Sequence, residues 1–335
     1  MPPDHPRAAA SCFDEGPPRL IVVIDTEEEF DWSQPHSRSQ TTVDHIRHLE
    51  SAQSILERYG LRPTYVVDYP VASQEAGYRP LREWLANGRC DIGAHLHPWV
   101  NPPFDEELSP RNSFPGNLPA ALEKAKLRRL TEMIEANFGS RPSAYRAGRY
   151  GIGPATGAIL EELGYAVDTS VVPLTEFRSD GGPDFGDFDV DPFWFGPERR
   201  VLEIPLTVAR CGRLRNYGEA LEPWLKSTGP MRLHLGGILA RLRLFERIRL
   251  TPEGNRFTEI KRLTDTMLAA GRRLFVLSFH SPSVVPGNTP YVRDGAELRS
   301  FLRLLEQYCE YFFVRCGGTP TTLTAVRNRI GNGGA

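Results

Sequence analysis

The sequence predicts an α/β fold in which parallel strands are covered by helices. Short apolar runs rich in β-branched residues alternate with amphipathic stretches along the chain, which is the pattern of βα units. No G-x-G-x-x-G or phosphate-loop motif follows the first predicted strand, which disfavours a dinucleotide-binding fold. Ionisable residues stand at or just past several predicted strand ends, where β/α barrels assemble their sites. Alternation alone leaves a closed barrel and an open doubly wound sheet both possible.

The predicted strands are short, largely apolar runs, as expected for strands buried on both faces. The run RLIVVID shows this most clearly. The strands are expected at residues 19–25, 63–67, 90–94, 143–146, 165–168, 202–208 and 273–279.

The predicted helices have apolar residues at helical spacing, and several end at a glycine. They are expected at residues 42–59, 80–88, 118–138, 154–163, 258–270 and 296–308. Residues 98–119 hold six prolines and are interpreted as an ordered surface loop, suited to a binding lip. Residues 176–197 are expected to form a long loop, and residues 238–248 a basic helix lying on the fold.

Composition narrows the classes of partner. Lys+Arg is 40 and Asp+Glu is 42, which gives a formal net charge of −2. This balance gives no reason to expect bulk electrostatic binding to nucleic acid or to an anionic membrane. The apolar runs are far shorter than the roughly 20 residues of a membrane span. The five cysteines are scattered and lack a C-x-x-C pair, which argues against a disulfide framework and a cysteine zinc site.

Three segments are expected along the chain. Residues 1–17 are interpreted as a disordered leader, residues 18–325 as one large domain and residues 326–335 as a flexible tail. The first residues contain acids and prolines instead of the apolar stretch of a signal peptide, so a cytoplasmic location is expected. The oligomeric state does not follow from the sequence.

The candidate site residues are the ionisable groups at strand ends. They are Asp25, Glu27, His95, His97, Arg146, Asp168 and His280. Because the carboxyl ends of barrel strands share one face, these side chains are expected to meet in one pocket.

Two pairs within this set have a spacing of two residues. On extended chain, residues two apart point the same way, so Asp25 and Glu27 are expected to face one site. The alternative is a helix N-terminus that collects acids, which is the interpretation given to Glu28. His95 and His97 are likewise expected on one side, and two imidazoles with one carboxylate leave room for water and substrate on a divalent metal.

The remaining candidates are one proton donor and two supporting residues. His280 ends a strong predicted strand, where an imidazole is suited to proton donation to a leaving group. Arg146 and Asp168 are interpreted as supporting groups, although Arg149 is an alternative to Arg146 as the contact residue. His45, with His48 three residues later, is interpreted as part of a solvated helix face.

The order of these motifs resembles the polysaccharide deacetylases of the NodB-homology type, carbohydrate esterase family four. The resemblance runs from about Leu20 to Val314, and the wording HLHPW, YRAGRYG and FHSPS is most similar to the WalW-like branch. It implies an irregular (β/α)7 barrel that removes acetyl groups from sugars with a divalent metal, usually zinc.

The resemblance also implies roles for single residues. Asp25 is the implied base, steadied by Arg146, and Asp168 is implied to tune the acid, His280. The implied metal ligands are Glu27, His95 and His97. A backbone N–H near Tyr150 is implied to stabilise the oxyanion. Apart from the resemblance, Trp99 is one of several aromatic residues suited to stacking on a sugar ring, and core packing explains these aromatics equally well.

The motifs depart from the family pattern at three points. Thr26 occupies the usual position of a metal-binding Asp, one residue instead of three separates the histidines, and Ser281 follows the acid His. Two alternatives to deacetylation are therefore kept. One is hydrolysis of a non-acetyl C–N bond in a small metabolite, and the other is an inactive carbohydrate-binding protein.

Overall fold

The architecture is a curled, mostly parallel sheet with helices outside it. In a computed structural model, residues 15–218, 221, 239, 241–242 and 244–332 are described. The strands are β1 (Arg19–Thr26), β2 (Thr64–Val67), β3 (Asp91–Leu96), β4 (Ala144–Ala147), β5 (Val167–Asp168), β6 (Phe193–Phe195), β7 (Val201–Glu203), β8 (Val208–Cys211), β9 (Glu246–Arg249), β10 (Leu274–His280) and β11 (Thr319–Pro320).

The main sheet has the strand order β10-β1-β2-β3-β4-β5-β7-β6, with β11 paired to β1. All neighbours along this order are parallel except β6, which runs antiparallel to β7. The seven strands expected from sequence correspond to β1, β2, β3, β4, β5, β7 and β10. The predicted β/α barrel is confirmed.

Along the chain between β7 and β10 there is a separate hairpin, which is hydrogen-bonded to β10. Strands β8 and β9 pair antiparallel. The N–H of Leu250 donates to the Thr207 carbonyl at 2.9 Å, and the N–H of Ser278 donates to the Leu250 carbonyl at 3.2 Å. These bonds tie the end of β9 to β10, so the hairpin stands beside the carboxyl ends of the strands.

Eight α-helices in the described chain cover the sheet. They are α1 (Glu50–Glu57), α2 (Tyr69–Ser73), α3 (Glu75–Ala86), α4 (Ala120–Phe138), α5 (Thr156–Glu162), α6 (Phe257–Ala269), α7 (Gly295–Glu310) and α8 (Leu323–Asn332). The expected helix 42–59 is divided into a 3-10 turn at Asp44–His48 and α1. None of the described helices is long and apolar enough to cross a membrane.

Strand β1 is the most completely buried part of the hydrophobic core, with paired strands on both sides of it. Its apolar residues from Leu20 to Ile24 are all 0–1% exposed, because the sheet flanks β1 on both sides and helices cover it. One continuous cluster of buried side chains includes these residues and reaches Ile330 in α8.

Two sequence expectations are wrong in part. Residues 326–332, expected in a flexible tail, belong to α8, because Val326 and Ile330 bury apolar side chains against the core. The expected helix at 238–248 is wrong for its last three residues, which pair with β8 as part of β9. Residues 1–14 of the expected leader and 333–335 of the tail lie outside the described residues, whereas 15–17 form exposed bends.

Candidate active site

The predicted site residues gather at the carboxyl end of the sheet. Asp25 is level with His280 across β1 and β10, and His95 is level with Arg146 across β3 and β4. A cavity of about 420 Å³ opens here. It is lined by Asp25, Phe30, Trp32, Gln34, His36, His95, His97, Trp99, Arg149, Tyr150, Phe177, Asp180, Arg249, His280 and Tyr291. A larger hollow of about 650 Å³ lies against β8 and contacts none of the predicted site residues.

Glu27, His95 and His97 form a compact buried group. The Glu27 Oε2 atom lies 3.5 Å from Nε2 of His95 and 3.4 Å from Nε2 of His97. One donor atom from each residue lies within 4.8 Å of the others. The three residues that the resemblance implied as metal ligands therefore stand together, and each residue is 2% exposed.

Hydrogen bonds at Nδ1, on the side of each ring away from Glu27, fix the tautomers of both histidines. Nδ1–H of His95 donates to the Arg146 carbonyl at 2.9 Å, and Nδ1–H of His97 donates to Glu28 Oε2 at 2.8 Å. Each ring therefore presents the lone pair of Nε2 to Glu27. Outer partners of this kind usually orient metal-binding histidines.

The charges in this group favour a bound cation. Burial lowers the pKa of His95 to about 3 and that of His97 to about 4, so both rings are neutral near pH 7. Burial, with the nearby Glu28, raises the pKa of Glu27 well above its ordinary value. The Glu27 Oε1 atom is buried without a hydrogen-bond partner. Two imidazole lone pairs and a carboxylate converging without a donor between them fit a divalent metal.

Glu28 is a residue whose role the sequence interpretation missed. Instead of complementing a helix dipole, it is fully buried, and its Oε1 atom accepts the indole N–H of Trp99 at 2.6 Å. Its own backbone N–H donates to Asp68 Oδ2 at 2.6 Å. Glu28 therefore holds His97 and is itself held in place.

Asp25 is paired with Arg146 in the floor of the cavity. The guanidinium donates to Asp25 and to the Ser278 hydroxyl, and its Nε–H donates to the Thr169 carbonyl at 2.9 Å. Burial acts to raise the pKa of Asp25, but Arg146 and the neighbouring histidines hold that pKa below its ordinary value. Asp25 is therefore ionised near pH 7 and able to accept a proton.

His280 stands opposite Asp25, with its Nε2 atom 3.8 Å from Asp25 Oδ2. Its Nδ1–H donates to Glu253 at 2.9 Å. Burial acts to lower the pKa of His280, but Glu253 and Asp25 outweigh it and the net shift is upward. His280 is thus favoured in its protonated form, as a proton donor requires.

The expected contact between Asp168 and His280 is wrong, because Glu253 occupies that position. Asp168 instead accepts hydrogen bonds from the Ser170 hydroxyl and the Thr169 N–H, and it lies level with Glu203 of β7. The Ser170 hydroxyl in turn accepts the N–H of Ala147 at 2.8 Å. Through Ser170, Asp168 thus helps to hold the end of β4, next to Arg146.

The structure distinguishes between Arg146 and Arg149, the two alternatives for the arginine that contacts the site. Arg146 contacts Asp25 from the interior, whereas Arg149 lines the cavity and pairs with Asp180 at 3.0 Å. Arg149 and Tyr150 adopt positive φ angles of 53° and 61°, and this turn brings Tyr150 to the cavity wall. The Tyr150 hydroxyl accepts a hydrogen bond from Arg249 at 3.0 Å.

Trp99 lies mainly behind the site, although it also lines the cavity. Its ring stacks on His97 at 4.2 Å and on His36 at 4.1 Å between centroids, and it is 2% exposed. Because His97 and His36 stack on this ring and leave it buried, the sugar-stacking role is wrong as its main function, and the core-packing alternative holds. Trp32, which contacts His280 edge-on at 5.1 Å, stands in the wall.

A second buried network supports Glu27. Nδ1–H of His45 donates to Glu29 at 3.1 Å, and the Ser281 hydroxyl donates to Nε2 of His45 at 2.7 Å. Ser281 then accepts the Glu27 N–H at 3.3 Å. The expectation that His45 is solvated is wrong, because it is 1% exposed. The residue types resemble a nucleophilic triad, but Ser281 is 0% exposed and out of reach of substrate.

Three further residues were missed for lack of a local signal. Glu253 and Arg249 follow or end the β8–β9 hairpin, and Tyr291 lies in a loop after β10. None of them stands at the carboxyl end of a predicted strand. The turn signals around Glu253 (TPEGN) mark a loop and do not indicate which way its side chain points.

No family model matches the sequence, and no curated protein matches it. Among solved structures, the chain is similar to the allantoinase PuuE, with 15% identity, a TM-score of 0.52, and coverage of 98% of this chain and 93% of that chain. It is also similar to a proposed polysaccharide deacetylase from Mycobacterium smegmatis, with 18% identity, a TM-score of 0.48, and coverage of 96% and 98%.

A further similar structure is a CE4 family pseudoenzyme from Bacillus anthracis. It has 8% identity and a TM-score of 0.45, and the match covers 94% of this chain and 66% of that one. At these identities the comparisons concern the fold alone. The chain shares with the allantoinase PuuE an overall fold that here is a curled, incomplete β/α barrel.

Proposed function

We propose that the chain is a metal-dependent hydrolase that cleaves a non-peptide C–N bond by removing an acetyl or similar acyl group from an amino sugar. The observation that carries this proposal is the arrangement of three units around one cavity. They are the Glu27–His95–His97 group, the Asp25–Arg146 pair and the His280–Glu253 pair.

Glu27, His95 and His97 would hold the metal, and a divalent ion bound there supplies Lewis acidity for an acyl carbonyl and for water. Asp25 accepts a proton from the attacking water, and Arg146 keeps its carboxylate ionised. His280 donates a proton to the departing nitrogen. The proton gained by Asp25 can return to His280 across the 3.8 Å between them, which restores both groups after each turnover.

The pKa directions agree with these roles. The pKa of Asp25 is held below its ordinary value and that of His280 above its ordinary value. The base is therefore ionised and the acid protonated over the same range around neutral pH. A bell-shaped dependence of rate on pH is expected. The backbone N–H near Tyr150 is the proposed oxyanion contact.

The test combines metal content with acetate release from N-acetylated sugars. Wild type, after dialysis, is expected to contain a divalent metal, which His97→Ala loses. Asp25→Asn and His280→Ala are expected to keep the metal and to lose activity by about 10²- to 10⁴-fold. A metal-free wild type that stays metal-free after reconstitution, or full activity of both variants, contradicts the proposal.

Hydrolysis of an amide in a small metabolite is the second candidate. Aromatic and charged side chains enclose a cavity of about 420 Å³, and the similar PuuE structure is named an allantoinase. Turnover of short amides without turnover of acetylated oligosaccharides would select it. The inactive binding protein is disfavoured, because the donor, base and acid groups are all present. Zinc as the metal, the WalW-like branch and a cytoplasmic location stay predictions.

A further inference from the structure

Three guanidinium groups lie in or beneath the cavity, and they differ in how their charge is balanced. Arg146 pairs with Asp25, and Arg149 pairs with Asp180. Arg249 also lines the cavity. Among the described residues, no carboxylate oxygen lies within 4.0 Å of its guanidinium.

Arg249 is held in place by its backbone and by Tyr150. It ends β9, and the next residue, Leu250, bonds to Thr207 and to Ser278 of β10. The guanidinium lies 5.7 Å from the centroid of the Tyr150 ring, and its Nη1–H donates to the Tyr150 hydroxyl at 3.0 Å. One fixed hydrogen bond leaves the other donors of this half-buried side chain for a ligand.

The nearest acidic residues are already paired with other cations. Glu253 accepts from the ring and backbone N–H groups of His280, and Asp25 accepts from Arg146. An arginine keeps its charge at any physiological pH. Arg249 therefore presents a positive charge to a partly enclosed cavity without a direct counter-ion.

We infer that Arg249 is a specificity-determining residue that binds a carboxylate on the substrate. A planar guanidinium forms paired hydrogen bonds with a carboxylate, and its single charge balances that of one carboxylate, whereas a phosphate dianion would keep a negative charge in the cavity. The carboxylate would lie beside Tyr150 and Tyr291, in the same cavity as Asp25 and His280. The inference deepens the proposed function, on which it rests for taking this cavity as the substrate site.

The test compares two probes that share an acetamide group and differ in one carboxylate. N-acetylmuramic acid carries a lactyl carboxylate that N-acetylglucosamine lacks. Their dissociation constants are measured by calorimetry on the metal-reconstituted chain carrying Asp25→Asn, which slows turnover by about 10²- to 10⁴-fold. Arg249→Gln is added to remove the charge. The matched control is Arg247→Gln on the same strand, because the exposed Arg247 donates to the Leu174 carbonyl instead of lining the cavity.

The acidic probe is expected to bind about 10- to 100-fold more tightly than the neutral probe, as a charged hydrogen bond allows. This preference should vanish in Arg249→Gln, persist in Arg247→Gln and weaken as salt is raised. Equal binding of both probes, no binding of either, or a preference that survives Arg249→Gln overturns the inference. Failure of the proposed function gives a different result: the acidic probe is still preferred in binding, but the wild-type protein releases no acetate from N-acetylated sugars.

Discussion

Replacing Glu28 by glutamine probes how the metal group is oriented. The Glu28 carboxylate accepts two N–H donors at once, from His97 at 2.8 Å and from Trp99 at 2.6 Å. A glutamine side chain has one oxygen and one NH₂ group. It can accept from only one of these donors and must present an N–H to the other.

Either orientation of the amide weakens metal binding. If its NH₂ group faces His97, Nδ1 of that ring becomes an acceptor and Nε2 carries the proton, which blocks coordination. If it faces Trp99, two donors meet in a buried site, which costs about 1–3 kcal/mol. Loss of an outer-shell partner typically lowers metal affinity 10- to 100-fold, so a loss of about 1.4–2.8 kcal/mol is expected.

The assay is competition for Zn²⁺ with a chromophoric chelator at pH 7.5. Trp99→Phe is the graded control, because it removes one donor and leaves the Glu28 carboxylate on His97. Its effect should be smaller than that of Glu28→Gln. A dissociation constant for Glu28→Gln within about threefold of wild type, in a variant whose thermal unfolding shows an intact fold, would refute this reasoning.

Three further predictions concern other parts of the site and the scaffold. Glu253→Gln removes the carboxylate that raises the pKa of His280, so the alkaline limb of the pH–rate profile should move to lower pH; an unmoved limb contradicts the pairing. Gly148→Ala should weaken metal binding in the same chelator assay, since a Cβ there would clash with the Leu96 carbonyl oxygen and lie 2.6 Å from Cδ2 of His97; unchanged affinity would show that this part of β3 and the ring can shift without loss. Burial raises the pKa of Glu123 from 4.5 to about 7. Between these two pH values the folded state therefore binds more protons than the unfolded state does. As pH rises from below 5 to 8, this group lowers the free energy of unfolding by up to about 3 kcal/mol. Glu123→Gln should show a fall smaller by that amount in urea unfolding at the two pH values, because Glu27 and other buried acids with raised pKa values keep their own contributions; an identical pH dependence would exclude the effect.

Much of the fold and of the metal group could be predicted because both depend on strand order. Apolar runs such as RLIVVID mark buried strands, and parallel strands bring their carboxyl ends to one edge. His95 and His97 had to face the same side, since residues two apart on extended chain do so. That rule also put Glu27 on the face of Asp25.

The positions of side chains that lie on loops, or that have several polar partners within reach, could not be predicted in this way. The acidic run after β1 does not reveal that Glu28 turns behind the histidines and accepts from His97. Glu253 reaches His280 because Leu250 anchors the hairpin to β10, a contact between distant parts of the chain. Asp168 was assigned to His280 by resemblance, but nearer hydroxyl and backbone groups hold its carboxylate.

The Glu27–His95–His97 metal group is tested by a crystal structure of the zinc-reconstituted protein with an anomalous difference map. One peak is expected, bonded to a carboxylate oxygen of Glu27 and to Nε2 of both His95 and His97, at about 2.0–2.2 Å. A fully reconstituted crystal with no peak at this group, or with the ion bound elsewhere in the cavity, would contradict this assignment.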